Sequence, residues 1–366
     1  MNQSLDKTAL LRRVDDLCRQ RGVRLLYLTL FGSALYGTDR PDRSDVDLRG
    51  VFIAGETAPP QFSGGLNISA GNGLDSPLAA AGVGRRSIHE ATGSAACRNR
   101  PDDIDIDLWS LPHWLNLLAE GNIGALDLIF SPSNEAAVIY RHPLLDAVFN
   151  KPLRLLNTAE SRPWLQYSLG QAKKYGIKGS RLGAVRAAAR GLKKTEIMLG
   201  ERLEPYLEQL VESCDDENFC CLTTSGGLPA VKLGGKIFVG RMKLAEFARR
   251  IELEMKQHGS RAIEAEANRG LDFKALSHAV RALDQMAELY ESGRVVFPLR
   301  SRAELMAIKE GRFTWAELEP MILSRLGQVE GLRRQSAFIG RHDAAFARQC
   351  LLACLEQAPS TDKVIV

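Results

Sequence analysis

The sequence predicts an α+β protein: a small mixed sheet flanked by helices, followed by a mainly helical second lobe with a short hairpin. Three observations predict it. Nine-residue apolar, strand-like runs fall in the first third of the chain, at 23–31, 45–53 and 103–111. From about residue 155 onward, apolar residues recur at helical spacing. One glycine-bounded segment, GLPAVKLGGKIFVG at 227–240, reads as a hairpin among those helices.

Residues 5–21 open the chain as an amphipathic helix, with Leu10, Leu11, Val14 and Leu17 on one face. The strand VRLLYLTLF (23–31) ends at Gly32, and Ser33 is placed to cap a short helix. DVDLRGVFI (45–53) is the second strand. Residues 55–102 are rich in Gly, Pro, Ser and Ala with weak periodicity, so a mobile excursion is expected, with 64–101 as an insert that folding does not need. DIDIDLWSL (103–111) returns as a strand and PHWLNLLAEG (112–121) as a helix. Phe31, Leu28, Trp109 and Trp114 read as core.

Helices are expected at 160–175, 180–199, 203–213, 243–257, 261–268, 272–292, 301–310 and 314–333. The prolines of NKPLRLLNTAESRP suggest a boundary near 150–160. The expected organisation is a catalytic domain at 1–155, a mainly helical substrate-binding domain at 156–340, and a C-terminal helix and tail at 341–366.

The chain has 366 residues and a net charge of +4, so a nucleic-acid surface would have to be a local patch. No apolar run approaches a membrane span, and the N-terminus lacks a signal-peptide core. Seven scattered cysteines show no zinc spacing and suggest reduced thiols in a cytoplasmic protein. Oligomeric state is not legible.

The chemistry gathers around carboxylates. Side chains alternate along a strand, so Asp45 and Asp47 share a face, as do Asp103, Asp105 and Asp107. If the two strands are neighbours, one face collects at least three like charges, which repel one another. Divalent cations remove that conflict, and oxygen-only ligands favour magnesium or manganese over zinc. Gly32 allows close backbone approach, and Ser33 with the N–H groups opening the next helix can hold triphosphate oxygens. A lone Asp-x-Asp strand is an ordinary solvated edge. The combination of strand, Gly-Ser, Asp-x-Asp and a later aspartate-bearing strand points instead to nucleotidyl transfer with a nucleoside triphosphate (NTP) as substrate.

These residues resemble the DNA polymerase β superfamily of nucleotidyltransferases. GSALYGTDRPDRSDVDLRGVFI, LAEGNIGALDLIFSP, QAKKYGIKGSRLGA and LDFKALSHAVRAL with GRVVFPLRSRAELMAIKEG are similar to the bacterial and phage members placed beside RNA-repair genes. The resemblance covers roughly residues 20–330. It implies a small nucleotidyltransferase sheet, a helical second lobe, and magnesium-dependent transfer of a nucleoside monophosphate from an NTP. It also implies a third carboxylate that binds metal and serves as general base. Asp105 fits that position best and Asp107 is the alternative.

The second lobe is locally basic. Between Ser161 and Thr195 there is no acidic residue, while Arg162, Lys173, Lys174, Lys178, Arg181, Arg186, Arg190, Lys193 and Lys194 are basic. Arg186, Arg190 and Lys194 share a helical stripe and, with Lys173 and Lys174, form the candidate nucleic-acid surface. KYGIKGSR, with Lys178 and Arg181, suits phosphate contact. Lys274, His278 and Arg281 fall on one helix face as further nucleotide-binding candidates, with Asp272 as that helix's cap; Arg300 and Lys309 are weaker. An RNA end is the favoured acceptor. Nucleotidylation of a protein or small molecule, or a catalytically silent nucleic-acid-binding regulator, are the alternatives.

Overall fold

The computed structural model describes residues 6–40, 45–54, 87–91 (backbone only), 104–172, 178–193, 200–214, 219–257, 265 and 270–357. Two compact units are present: Met1–Gln166 with Arg281–Leu305 and Ser324–Val366, and Tyr167–Val280 with Met306–Leu323. Where the sequence suggests one break near residue 155, the chain passes from one unit to the other after Gln166, Val280, Leu305 and Leu323.

The first unit is built on a five-stranded sheet in the order β3-β4-β2-β1-β5. Its strands are β1 (Val23–Leu30), β2 (Val46–Ala54), β3 (Ser87–Ala91), β4 (Ile104–Ser110) and β5 (Val138–Arg141). β2 and β4 run parallel, and every other pair is antiparallel. A parallel pair needs a long return connection. Here β3 is that return: it descends antiparallel to β4, which then rises between β3 and β2. Residues 87–91, within the expected insert, form an edge strand that satisfies β4's outer backbone groups. β5 was not anticipated, since four residues carry too little periodicity to read.

One face of the sheet is apolar. Leu28, Leu48, Ile106 and Leu108 pack with Leu10, Val14, Leu17 and Cys18 of helix α1 (Lys7–Gln20). Burial pushes the Cys18 thiol up to about 12, so it stays protonated and inert. By alternation, Asp47, Arg49, Asp105 and Asp107 occupy the other face. Against the sheet lie α2 (Gly32–Tyr36) and α3 (Leu111–Ala119), and α4 (Ile123–Phe130) packs on α3. Phe31, Leu28, Trp109 and Trp114 are all buried, as expected.

Short helices α5 (Asp146–Asn150) and α6 (Pro152–Leu155) follow, then α7 (Arg162–Leu169). In the second unit, α8 (Lys178–Lys193), α9 (Leu207–Glu212) and α10 (Leu244–Gln257) pack on a three-stranded sheet. That sheet is β6 (Cys220–Ser225), β7 (Leu228–Leu233) and β8 (Lys236–Val239), one strand more than the expected hairpin. Ala184, Val185, Ala188 and Leu192 of α8 meet Val231, Leu233, Phe238 and Phe247 in one core. The chain continues through α11 (Phe273–Ser292), α12 (Arg302–Lys309), α13 (Trp315–Gln335) and α14 (Ala344–Glu356). The helix expected at 261–268 lies largely outside the described residues. No described helix is long and apolar enough to cross a membrane.

Candidate active site

The site begins with strand register. Asp47 of β2 stands directly beside Asp105 of β4, and Arg49 beside Asp107. Asp45 immediately precedes β2 and joins them: one carboxylate oxygen each from Asp45, Asp47 and Asp105 lie within 4.8 Å of one another. All three residues are half-buried. Three anions at that separation repel strongly, and an oxygen-only donor set suits a hard divalent cation. The three carboxylates can therefore hold such an ion. Asp107, the alternative third carboxylate, is not part of the triad. Arg49 Nη2 donates to its Oδ2 at 2.9 Å.

Gly32 explains the Gly-Ser pair. Its φ is +56°, and a Cβ there would lie 2.2 Å from Asp47 Oδ2. Any side chain at residue 32 would displace a carboxylate of the triad. The backbone next to it is tied down, because Phe31 N–H donates to Asp47 C=O at 2.8 Å. Gly32→Ala is therefore expected to lose about 1–2 kcal/mol from the left-handed backbone alone, and to weaken divalent-cation binding by moving Asp47. Urea unfolding and manganese titration check both parts.

Ser33 is not the cap of α2 as expected. The N-cap is Phe31, which makes no side-chain cap bond, and Ser33 sits in the helix with its carbonyl accepting from Thr38 N–H at 2.9 Å. The first turn of α2 thus opens beside Asp47 without a side-chain acceptor at its N-cap position.

The far end of α2 is anchored by a buried polar cluster that sequence reading did not find. Tyr36 Oη donates to Asp127 Oδ2 at 2.7 Å. Arg281 Nη1 donates to the same oxygen at 2.8 Å and to Gln285 Oε1 at 3.0 Å. Gln285 Nε2 donates to Asp127 Oδ1 at 2.6 Å, and the Arg281 guanidinium lies 4.3 Å from the Tyr36 ring centroid. Burial holds the Tyr36 hydroxyl well above its ordinary value, which keeps it a donor. This corrects the nucleotide-binding expectation for Arg281: its side chain is 6% exposed and engaged by Asp127. One acidic residue in the apolar run IGALDLIF was the available signal for a buried partner.

The other expected binding residues lie in the second unit. Lys274 is exposed near the start of α11 and His278 is half-buried one turn on. Asp272 caps that helix, accepting from Ala275 N–H at 2.9 Å. On α8, Arg190 is exposed, Arg181 and Arg186 are half-buried, and Lys178 is in the helix. Lys173, Lys174 and Lys194 lie outside the described residues, as does the Lys178 side chain. The geometry therefore unites Gly32, Ser33, Asp45, Asp47 and Asp105 in one unit and places Lys178, Arg181, Arg186, Arg190, Lys274 and His278 in the other. Cys220 Sγ donates to Leu210 C=O at 3.6 Å and Cys214 Sγ to Ala184 C=O at 3.5 Å; the neighbouring Cys214 thiol and burial push the Cys220 thiol up.

Residues 7–146 match a family described as the RNA repair pathway DNA polymerase beta family. An uncharacterized 38.9 kDa protein of the nrdC-mobD intergenic region of Enterobacteria phage T4 is 28% identical over 324 residues. The alignment covers 84% of this chain and 89% of the phage protein. No solved structure matches.

Proposed function

We propose that the chain, whose residues 7–146 match the RNA repair pathway DNA polymerase beta family, is a nucleotidyltransferase that moves a nucleoside monophosphate from an NTP to a hydroxyl, with an RNA end as acceptor. The observation that carries this reading is the triad of Asp45, Asp47 and Asp105 beside Gly32. Magnesium or manganese bound there would stabilise the charge that develops on the reacting phosphate and on the leaving pyrophosphate.

The chain's own residues do the rest. Asp45, Asp47 and Asp105 hold the cations. Gly32 leaves room for the Asp47 carboxylate, and Ser33 with the first N–H groups of α2 binds the triphosphate oxygens. Asp105 takes the proton of the attacking hydroxyl as its oxygen bonds to the α-phosphorus and the bond to pyrophosphate breaks.

RNA is favoured by the family's description and by the one-signed basic run that includes Arg186 and Arg190. Each phosphate neutralised on a single strand adds about −0.7 to the slope of log affinity against log salt. RNA binding is therefore expected to weaken steeply with salt. Arg186→Glu/Arg190→Glu should flatten the slope by about 0.7 for each phosphate no longer neutralised, with NTP affinity changed far less. Filter binding across salt concentrations measures this. Equal loss of NTP binding would put the stripe in the nucleotide pocket and remove the argument for a polymeric acceptor. The acceptor itself is tested by offering RNA, DNA and protein with each labelled NTP and magnesium; label entering only protein would favour the alternative acceptor.

A further inference from the structure

Among the described residues, a second Asp-x-Asp pair lies beside the first. Asp105-Ile106-Asp107 repeats on β4 the spacing of Asp45-Val46-Asp47. Asp105 and Asp107 face the same side by alternation. On spacing alone the second pair is as good a cation site as the first, so something must decide which carboxylates meet the ion. Asp107 lies outside the triad and is paired with Arg49.

Arg49 is fixed from several directions. It stands beside Asp107 in the β2–β4 register, one same-face step from the Asp47–Asp105 pair. Its guanidinium carbon lies 4.2 Å from the Phe31 ring centroid and 4.5 Å from that of Trp109. Those two aromatic faces surround a buried Nε that has no hydrogen-bond partner. On a further side is Gly124 of α4, where a Cβ would come within 2.7 Å of Arg49 Nη1. A surface ion pair would not be enclosed in this way.

We infer that Arg49 is a positioning residue: by engaging Asp107 it assigns the third ligand role to Asp105. This rests on the reading that the triad binds divalent cations. With Arg49 in place the second Asp-x-Asp pair is closed, and Asp105 is left to act with Asp45 and Asp47. Without it, Asp107 is a second anion at ligand spacing from Asp105, and it competes for the ion.

The test is a cycle of manganese titrations on the full chain, read by electron paramagnetic resonance, which needs neither NTP nor acceptor. In the native background Asp107→Asn should change manganese affinity by less than about twofold, whereas in the Arg49→Gln background the same change should lower it by about tenfold. A single cooperative thermal transition shows that each variant is folded. If Arg49→Gln does not fold, Arg49→Lys takes its place: it keeps the charge, but an ammonium cannot stack on the two rings as the planar guanidinium does. An Asp107 effect of the same size in both backgrounds overturns the inference. So does a folded Arg49 variant that binds no manganese, because Arg49 would then support the triad directly. Failure of the native chain itself to bind manganese would refute the metal reading, and this inference with it.

Discussion

Asp45→Asn or Asp47→Asn is expected to lower nucleotidyl transfer by about a thousandfold or more, while the metal-free protein stays as stable as the native chain or becomes more so. Activity and stability move in opposite directions for one reason. Three carboxylate oxygens within 4.8 Å suit a cation and repel one another without it. Asparagine keeps the shape of the side chain and removes one charge, so it relieves the repulsion and discards a ligand. Single-turnover assays with saturating magnesium give the first quantity. Thermal melts in the presence of a chelator give the second. A variant that retains near-native turnover would mean that the triad is not where the chemistry happens.

Arg281→Met is expected to be the most damaging single change to stability, at about 3–5 kcal/mol. Asp127 is 1% exposed, and Arg281 is its ion-pair partner. Removing the guanidinium leaves a buried carboxylate held only by Tyr36 and Gln285. The double variant Arg281→Met/Asp127→Leu should recover much of the loss, because an uncompensated buried charge costs more than an absent pair. Urea unfolding of the two variants measures the difference. A loss below about 1 kcal/mol for Arg281→Met would show that the Asp127 carboxylate does not depend on the guanidinium. The same cluster holds the end of α2 through Tyr36, so the pair that sets stability also fixes the helix that opens beside Asp47.

The contrast between these two groups shows what a sequence makes legible. Gly32, Asp45 and Asp47 lie within one short segment, and strand alternation is enough to put the two aspartates on one face. The choice between Asp105 and Asp107 needed register, which depends on how β2 and β4 pair across a connection of some fifty residues. Arg49 was overlooked although it has the same parity as Asp45 and Asp47; a cation at the third same-face position is the expected companion of an aspartate on the next strand. Arg281 was misplaced because helical spacing groups it with Lys274 and His278, whereas its burial is set by Asp127, 154 residues away. β3 was hidden by composition: a strand whose role is to return the chain needs backbone hydrogen bonds more than a distinctive apolar pattern.

Nucleotidyl transfer by the triad is most directly tested by where a labelled phosphate goes. The chain is incubated with magnesium, an RNA acceptor, and each NTP labelled at either the α or the γ position. The account predicts that α-label enters the acceptor, that γ-label leaves as pyrophosphate, and that Asp47→Asn abolishes both. Transfer of γ-label to the acceptor, or α-label transfer that survives Asp47→Asn, would contradict it.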